Sequence, residues 1–181
     1  MMKLFNLLIV SIFAVAGLLQ TPGNVKIGDN APDFRLKTIS GKEIRLNKLN
    51  TKNPVVLVVL RGWPGYQCPI CTRQVGELMA NSDEFQKRNA IVLMVYPGPS
   101  EKLQEHAREF SGDFDFPGNF YFVIDPDYSM VNKYGLRWDA PKETAYPSTF
   151  VIDKNGKVIF AKTSTTHGGR ATSDEILGAL K

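Results

Sequence analysis

An unbroken apolar run, Pro54-Val55-Val56-Leu57-Val58-Val59-Leu60, is followed closely by Cys68-Pro69-Ile70-Cys71, and these are the only two cysteines in the chain. A β-branched and leucine run without alternation is the pattern of a central strand covered on both faces, so helices must pack on either side of a sheet and the cysteines must emerge at its edge. From Pro69 to about Asn81, Ile70, Val75, Leu78 and Met79 recur at helical spacing, with Met79 expected in the core. Pro69 suits the first helical position, where its fixed φ fits and its missing N–H costs nothing, which puts Cys68 at the cap and Cys71 in the first turn. Both sulfurs then face the positive end of the helix, and its free N–H groups favour the thiolate.

Three kinds of chemistry use such a pair. A closed zinc site needs four ligands, and the only histidines, His106 and His167, stand at no finger-like spacing, so no metal is expected. A purely structural disulfide across so short a loop gains little, because the entropic benefit of a cross-link grows with loop length. A redox pair remains the best use of the two thiols, and it requires no cofactor.

The 181 residues suit one domain with a core large enough to need no staples. Apolar residues are 43% and charged residues 22%, and the net charge of +4 is spread along the chain, which argues against a nucleic-acid partner. The N-terminus differs. Met1-Met2-Lys3 precedes an apolar stretch from Leu4 to Leu19, and the chain turns polar at Gln20. This reads as a secretory signal over residues 1–20, with Ala14-Val15-Ala16 fitting the small-x-small cleavage pattern and the run falling short of the ~20 residues that span a bilayer. Left uncleaved, it would tether the chain to a membrane. No cysteine follows the run to take a lipid. Export, periplasmic or extracellular, places the dithiol in an oxidising compartment, where an outside partner must keep it reduced.

Further along, Phe34–Lys37 and Glu43–Leu46 alternate around Ser40-Gly41-Lys42 as a half-buried hairpin. Ser82-Asp83-Glu84-Phe85 caps a continuation of the cysteine-bearing helix or marks a kink. Ala90–Tyr96 is a second buried strand ended by Pro97-Gly98-Pro99, and Ser100 starts a helix to about Phe110, with His106 on its solvated face. After a loop over 111–119, Phe120–Ile124 is a short strand, Asp125-Pro126-Asp127 opens a helix to about Tyr134, and a long loop runs to Ala145. Tyr146–Asp153 is a strand entered through Pro147, either an edge device or a cis-proline facing the sulfurs. A turn at Lys154-Asn155-Gly156-Lys157 returns the chain through Val158–Lys162, and a last helix spans Ser173–Leu180 with Ser173 as cap.

Taken together, Gly28-Asp29-Asn30-Ala31-Pro32-Asp33-Phe34, Cys68-Pro69-Ile70-Cys71 and Pro147-Ser148-Thr149-Phe150-Val151-Ile152-Asp153-Lys154-Asn155-Gly156 resemble the peroxiredoxin-like alkyl hydroperoxide reductase and thiol-specific antioxidant family (AhpC/TSA) of the thioredoxin-fold superfamily. The likeness covers about residues 25–181. It implies an α/β thioredoxin-like fold, a central mixed sheet flanked by helices with an N-terminal hairpin extension. Peroxiredoxins resemble one another in a Pro-x-x-x-Thr-x-x-Cys motif. Here Pro64 stands seven residues before Cys71, which matches the peroxidatic cysteine, while Cys68 takes the Thr position and restores a thioredoxin-like Cys-x-x-Cys. The arginine that many members carry before the late strand is replaced by Pro147. The fold analogy brings Thr166–Arg170 near the sulfurs, so Arg170 or His167 would replace the missing cation, with Arg61 as a second source. Trp63 and Tyr66 would wall the site.

The resemblance implies peroxide reduction through a sulfenic acid on Cys71, resolved by Cys68 as an intramolecular disulfide and re-reduced by an external thioredoxin-like dithiol. The alternative is a protein disulfide reductase in which Cys68 attacks first. A third reading is a copper-handling module of the same fold, although Thr144-Ala145 stand where the histidine of copper-delivery relatives would be expected.

Overall fold

A computed structural model describes residues 22–112 and 114–180; the expected leader lies outside them. β1 (Arg35–Thr38) and β2 (Glu43–Arg45) form the hairpin, with Leu36 opposite Ile44 on its buried face. Its second arm stops before Leu46. There the Asp33 carboxylate accepts hydrogen bonds from Arg45 Nε (2.7 Å) and the Asn47 N–H (3.0 Å), and the chain winds into a short helical turn, α1 (Leu46–Leu49).

β3 (Val55–Val59) is buried along its whole length. The chain continues through α2 (Pro69–Ala80), α3 (Ser82–Lys87), β4 (Ile91–Gly98), α4 (Leu103–Ser111), β5 (Phe120–Pro126), α5 (Ser129–Lys133), β6 (Ser148–Ile152), β7 (Val158–Thr163) and α6 (Ser173–Ala179). Among the described residues the strands make one seven-stranded mixed sheet, ordered β2-β1-β5-β4-β3-β6-β7. β3, β4 and β5 run parallel, while β6 and β1 join this block antiparallel.

The pleat of β3 divides the core in two. Val56, Val58 and Leu60 face a cluster with Cys71, Val75 and Leu78 of α2, Phe85, Leu103, Phe110 and Ile176. Val55, Leu57 and Val59 face Met130, Val131, Tyr134 and the hairpin's Phe34 and Leu36. This explains the absence of alternation in the apolar run. Met79 is only partly buried against the first cluster.

Several local expectations are corrected. β4 does not end at Tyr96: Pro97 and Gly98 pair with Asp125 and Pro126 of β5, whose strand is correspondingly longer. Ser100 is not the cap of α4, which begins after a left-handed Lys102; the Ser100 N–H is instead drawn to Asp127 Oδ1 at 3.0 Å. Asp125 belongs to β5 and caps the later α5 across a turn, its carboxylate accepting from the Ser129 hydroxyl and the Met130 and Val131 N–H groups at 2.7–3.1 Å. The α6 cap is Thr172, which exchanges a capping box with Glu175. Pro147 is neither an edge device nor cis. Its peptide bond is trans, and the strand that follows is interior, with Ser148 facing Val59 on one side and Thr163 on the other.

Where β3 ends, the chain must pass over the end of β4 to reach α2. Gly62 makes that crossing at φ +66°, and a Cβ there would lie 1.8 Å from the Pro97 carbonyl oxygen, while the next N–H, of Trp63, donates to that same oxygen at 3.0 Å. Gly62→Ala should therefore cost about 2–3 kcal/mol, through the clash and the positive φ together. Thr172→Ala should cost about 1 kcal/mol, the scale of a lost N-cap. Urea denaturation of the two variants against wild type checks both magnitudes and their order.

Candidate active site

Cys68 caps α2 in an extended conformation and Pro69 takes the first helical position, so the helix start is built as its sequence predicts. The Cys71 N–H points back to Cys68 Sγ at 3.4 Å. This first-turn N–H thus serves the cap sulfur. Both cysteines are free, at 1% and 0% exposure.

Two arginines reach the sulfurs from distant parts of the chain. Arg61, at the end of β3, places Nη1 3.9 Å from Cys68 Sγ. Arg170, beyond β7, places Nη2 3.4 Å from Cys71 Sγ and 3.9 Å from Cys68 Sγ. Its Nη1 donates to Gln74 Oε1 at 2.6 Å and its Nε to the His167 carbonyl at 3.1 Å, so the guanidinium is held from two sides. Arg61 is held more tightly still. Glu143 Oε2 accepts from its Nε (3.0 Å) and lies 2.8 Å from Nη2, the Lys142 carbonyl accepts from Nη2 at 3.0 Å, and Nη1 meets the Tyr66 hydroxyl at 2.9 Å. The Thr144 hydroxyl also bonds the Arg61 carbonyl. Burial alone would lower the Arg61 pKa, but Tyr66, Glu143 and Cys68 outweigh it and the pKa is raised.

These contacts separate the two thiols. A hydrogen bond from the Cys71 thiol, opposed by burial and aided by the Cys71 N–H, Arg170 and Arg61, lowers the Cys68 pKa to about 5. Burial, and then the bond it donates to Cys68, push the Cys71 thiol well above the ordinary range. The contacts favour the negative charge on Cys68 and the proton on Cys71.

His167 does not face the sulfurs. Its Nε2 lies 2.7 Å from Glu143 Oε1, on the far side of Arg61. Trp63 packs, partly buried, against the core cluster that includes both cysteines, and stacks on His106 with ring centroids 3.5 Å apart and 9° between planes. That contact corrects the solvated reading of His106, whose side chain is 17% exposed. Tyr66 is exposed at the rim, and Pro64 is half-buried in the loop between them. Gln67 pins that loop to α4 through the His106 carbonyl (2.9 Å) and Glu109 (3.2 Å), and accepts from the Tyr96 hydroxyl at 2.9 Å. Arg170 and Gln74 also line a cavity of about 150 Å³, together with Ile70, Arg73, Gly168 and Gly169 among others, and neither cysteine is in its wall. Pro147 is buried, and its carbonyl accepts from the Ser164 N–H.

Sequence reasoning missed Glu143, Gln74 and Gln67. Gln74 had a usable signal, since a residue three after Cys71 shares its helix face. Glu143 had none, because its partner lies 82 residues away.

A thiolate and a thiol at a helix start, flanked by two guanidinium groups at the end of a mixed sheet, form the redox centre of a thiol-based oxidoreductase with a thioredoxin-like fold. The family model for "AhpC/TSA family" matches residues 27–161, and the chain belongs to that family. It is 34% identical over 137 residues to the bcp protein of Helicobacter pylori strain J99, which bears a peroxiredoxin name, a match covering 73% of this chain and 84% of that one. It is 33% identical over 135 residues to the thiol-disulfide oxidoreductase ResA of Geobacillus thermodenitrificans, covering 74% and 67%. The crystal structure of peroxidoxin BcpB from Mycobacterium tuberculosis superposes with a TM-score of 0.68 at 25% identity, over 87% of this chain and 97% of that one.

Because the folded-state pKa of Cys68 is depressed, its thiolate is present at neutral pH and is lost as pH falls through about 5. Ultraviolet absorbance of the reduced protein should titrate with a midpoint there. Arg170→Met removes a cation that favours the thiolate, and should raise the midpoint by about one pH unit, equivalent to ~1.4 kcal/mol.

Proposed function

We propose that the protein reduces hydroperoxides, with Cys68 as the attacking sulfur and Cys71 as the resolving one. The observation that carries this reading is the pair of guanidinium groups on a buried thiolate. Splitting an O–O bond develops negative charge on the departing oxygen, and fixed donors beside the sulfur stabilise it. Burial supports a small oxidant, because an exposed protein disulfide must align with the attacking sulfur whereas a peroxide needs only a narrow approach. Membership of the AhpC/TSA family and the bcp relative support the same chemistry.

In the first step the Cys68 thiolate attacks one peroxide oxygen. An S–O bond forms, the O–O bond breaks, the sulfur becomes a sulfenic acid, and the departing oxygen takes a proton to leave as water or alcohol. Cys71 then attacks the sulfenic sulfur, forming the S–S bond and expelling water that carries the Cys71 proton. An external dithiol returns two electrons and two protons to the disulfide. The order of attack reverses the family register, in which Cys71 matches the peroxidatic position. The physical reason is that the helix N–H, the neighbouring thiol and the Arg61 guanidinium favour charge on Cys68, while burial disfavours it on Cys71.

A second reading is protein disulfide reduction. The ResA relative is named for that activity, and a low-pKa first cysteine in Cys-x-x-Cys suits thiol–disulfide exchange. The leader-like sequence supports export, with the re-reducing dithiol in the same compartment; cell fractionation checks it.

Reduced wild type should consume hydrogen peroxide faster than it reduces a disulfide-bonded protein. Cys71→Ser should still take up one equivalent and leave a trappable sulfenic acid on Cys68, whereas Cys68→Ser should react at least about 10²-fold more slowly, having lost the stabilised thiolate. Reversal of that asymmetry would return the attack to Cys71. A large rate preference for the protein disulfide would put the second reading first.

A further inference from the structure

Arg61 is 2% exposed and has two anionic partners, one on each edge of its guanidinium. Glu143 takes the Nε and Nη2 edge at 3.0 and 2.8 Å, and Cys68 Sγ lies 3.9 Å from Nη1. Glu143 is itself anchored, its other oxygen 2.7 Å from the half-exposed His167 ring. Oxidation of the cysteines removes one of the two anions and leaves the other in place.

We infer that Glu143 sets the reduction potential of the Cys68–Cys71 pair, by competing with the Cys68 thiolate for Arg61. Reduction breaks the S–S bond, adds two electrons and two protons, and at neutral pH returns the Cys68 proton to water. The thiolate so formed gains from Arg61. Were Arg61 otherwise unpaired, that gain would be large, because a buried cation without a counter-charge is costly and the thiolate would relieve it. With Glu143 present, Arg61 is already satisfied in the disulfide form, and the thiolate gains less from it, which favours the disulfide. Glu143 therefore makes the pair a better electron donor and the thiolate less stable, acting as a positioning residue through Arg61 and touching neither sulfur.

The inference rests on the two cysteines cycling between dithiol and disulfide, as proposed above, and is independent of the oxidant. Its test is an equilibrium measurement. The full-length wild type and Glu143→Gln are equilibrated in dithiothreitol redox buffers at neutral pH, and the dithiol fraction is counted by alkylation and mass spectrometry. Glu143→Gln should shift the equilibrium constant about tenfold or more toward the dithiol, ~30 mV for a two-electron couple. The thiolate midpoint should fall in parallel. In an Arg61→Met background the same substitution should shift the equilibrium less than about threefold, since the shared cation is gone. A merely structural role for Glu143 would not produce that dependence. Should Glu143→Gln fail to fold, Glu143→Asp, with its charge one methylene further from Arg61, should shift the equilibrium in the same direction by a smaller factor. A wild-type disulfide with an unchanged equilibrium in the folded variant, or a shift that persists without Arg61, overturns the inference alone. A wild type that forms no Cys68–Cys71 disulfide removes the proposed function and this inference together.

Discussion

A thiolate at 1% exposure has lost the water that would solvate it, and it persists only where N–H donors and cations replace that water. Each part of the site answers this requirement. The helix start supplies the Cys71 N–H, the neighbouring thiol supplies a second donor, and two arginines supply charge. Burial works against all of them, and the depressed Cys68 pKa is the outcome of their sum. Cys71 is buried deeper, and although Arg170 lies nearer to it, burial and the bond it donates to Cys68 outweigh that cation and leave it holding the proton.

The sheet explains how groups so distant in sequence meet. β3 ends at the site, and Arg61 stands two residues beyond it. β6 lies against β3 and runs antiparallel, so its beginning, with Pro147, falls at the same end, and β7 returns the chain there to deliver Arg170. The loop before β6 brings Glu143 to Arg61. Gly62 lets the chain cross the Pro97 carbonyl, and the Trp63–His106 stack and Gln67 then fasten the crossing to α4. The order of the central strands thus gathers the charges around the first turn of α2.

Much of this was legible in the residues because it follows from local pattern. The uninterrupted β3 run, the hairpin alternation and Cys-Pro-x-Cys at a helix start each carry their geometry in a few neighbouring positions. The strand order that brings Arg170 to the sulfurs followed from resemblance, and the contacts lie where that resemblance pointed. Caps were less legible. Ser100, Ser173 and Asp125 all have capping chemistry, but their partners were decided by where β4 and β5 end and by a Thr172–Glu175 exchange one residue earlier than expected. His106 sits in a charged stretch and looks solvated until Trp63 covers it. Glu143 lies in a long loop whose path is fixed by tertiary contacts such as the Arg137–Ala145 bridge, so no periodicity could announce it.

The two arginines differ in burial, and the difference follows from their counter-charges. Arg61 keeps a carboxylate beside it in either redox state of the cysteines, and it is 2% exposed. The partners of Arg170 besides the sulfurs are the neutral Gln74 amide and the His167 carbonyl, and it remains half-buried, in contact with solvent. A guanidinium whose only anion vanishes on oxidation must retain access to water, or the disulfide form would bear an uncompensated buried charge. A guanidinium with a permanent carboxylate carries no such requirement and can be packed into the protein. The pairing of one arginine with Glu143 and the exposure of the other are therefore two solutions to the same problem: the buried site loses a negative charge each time the sulfurs join.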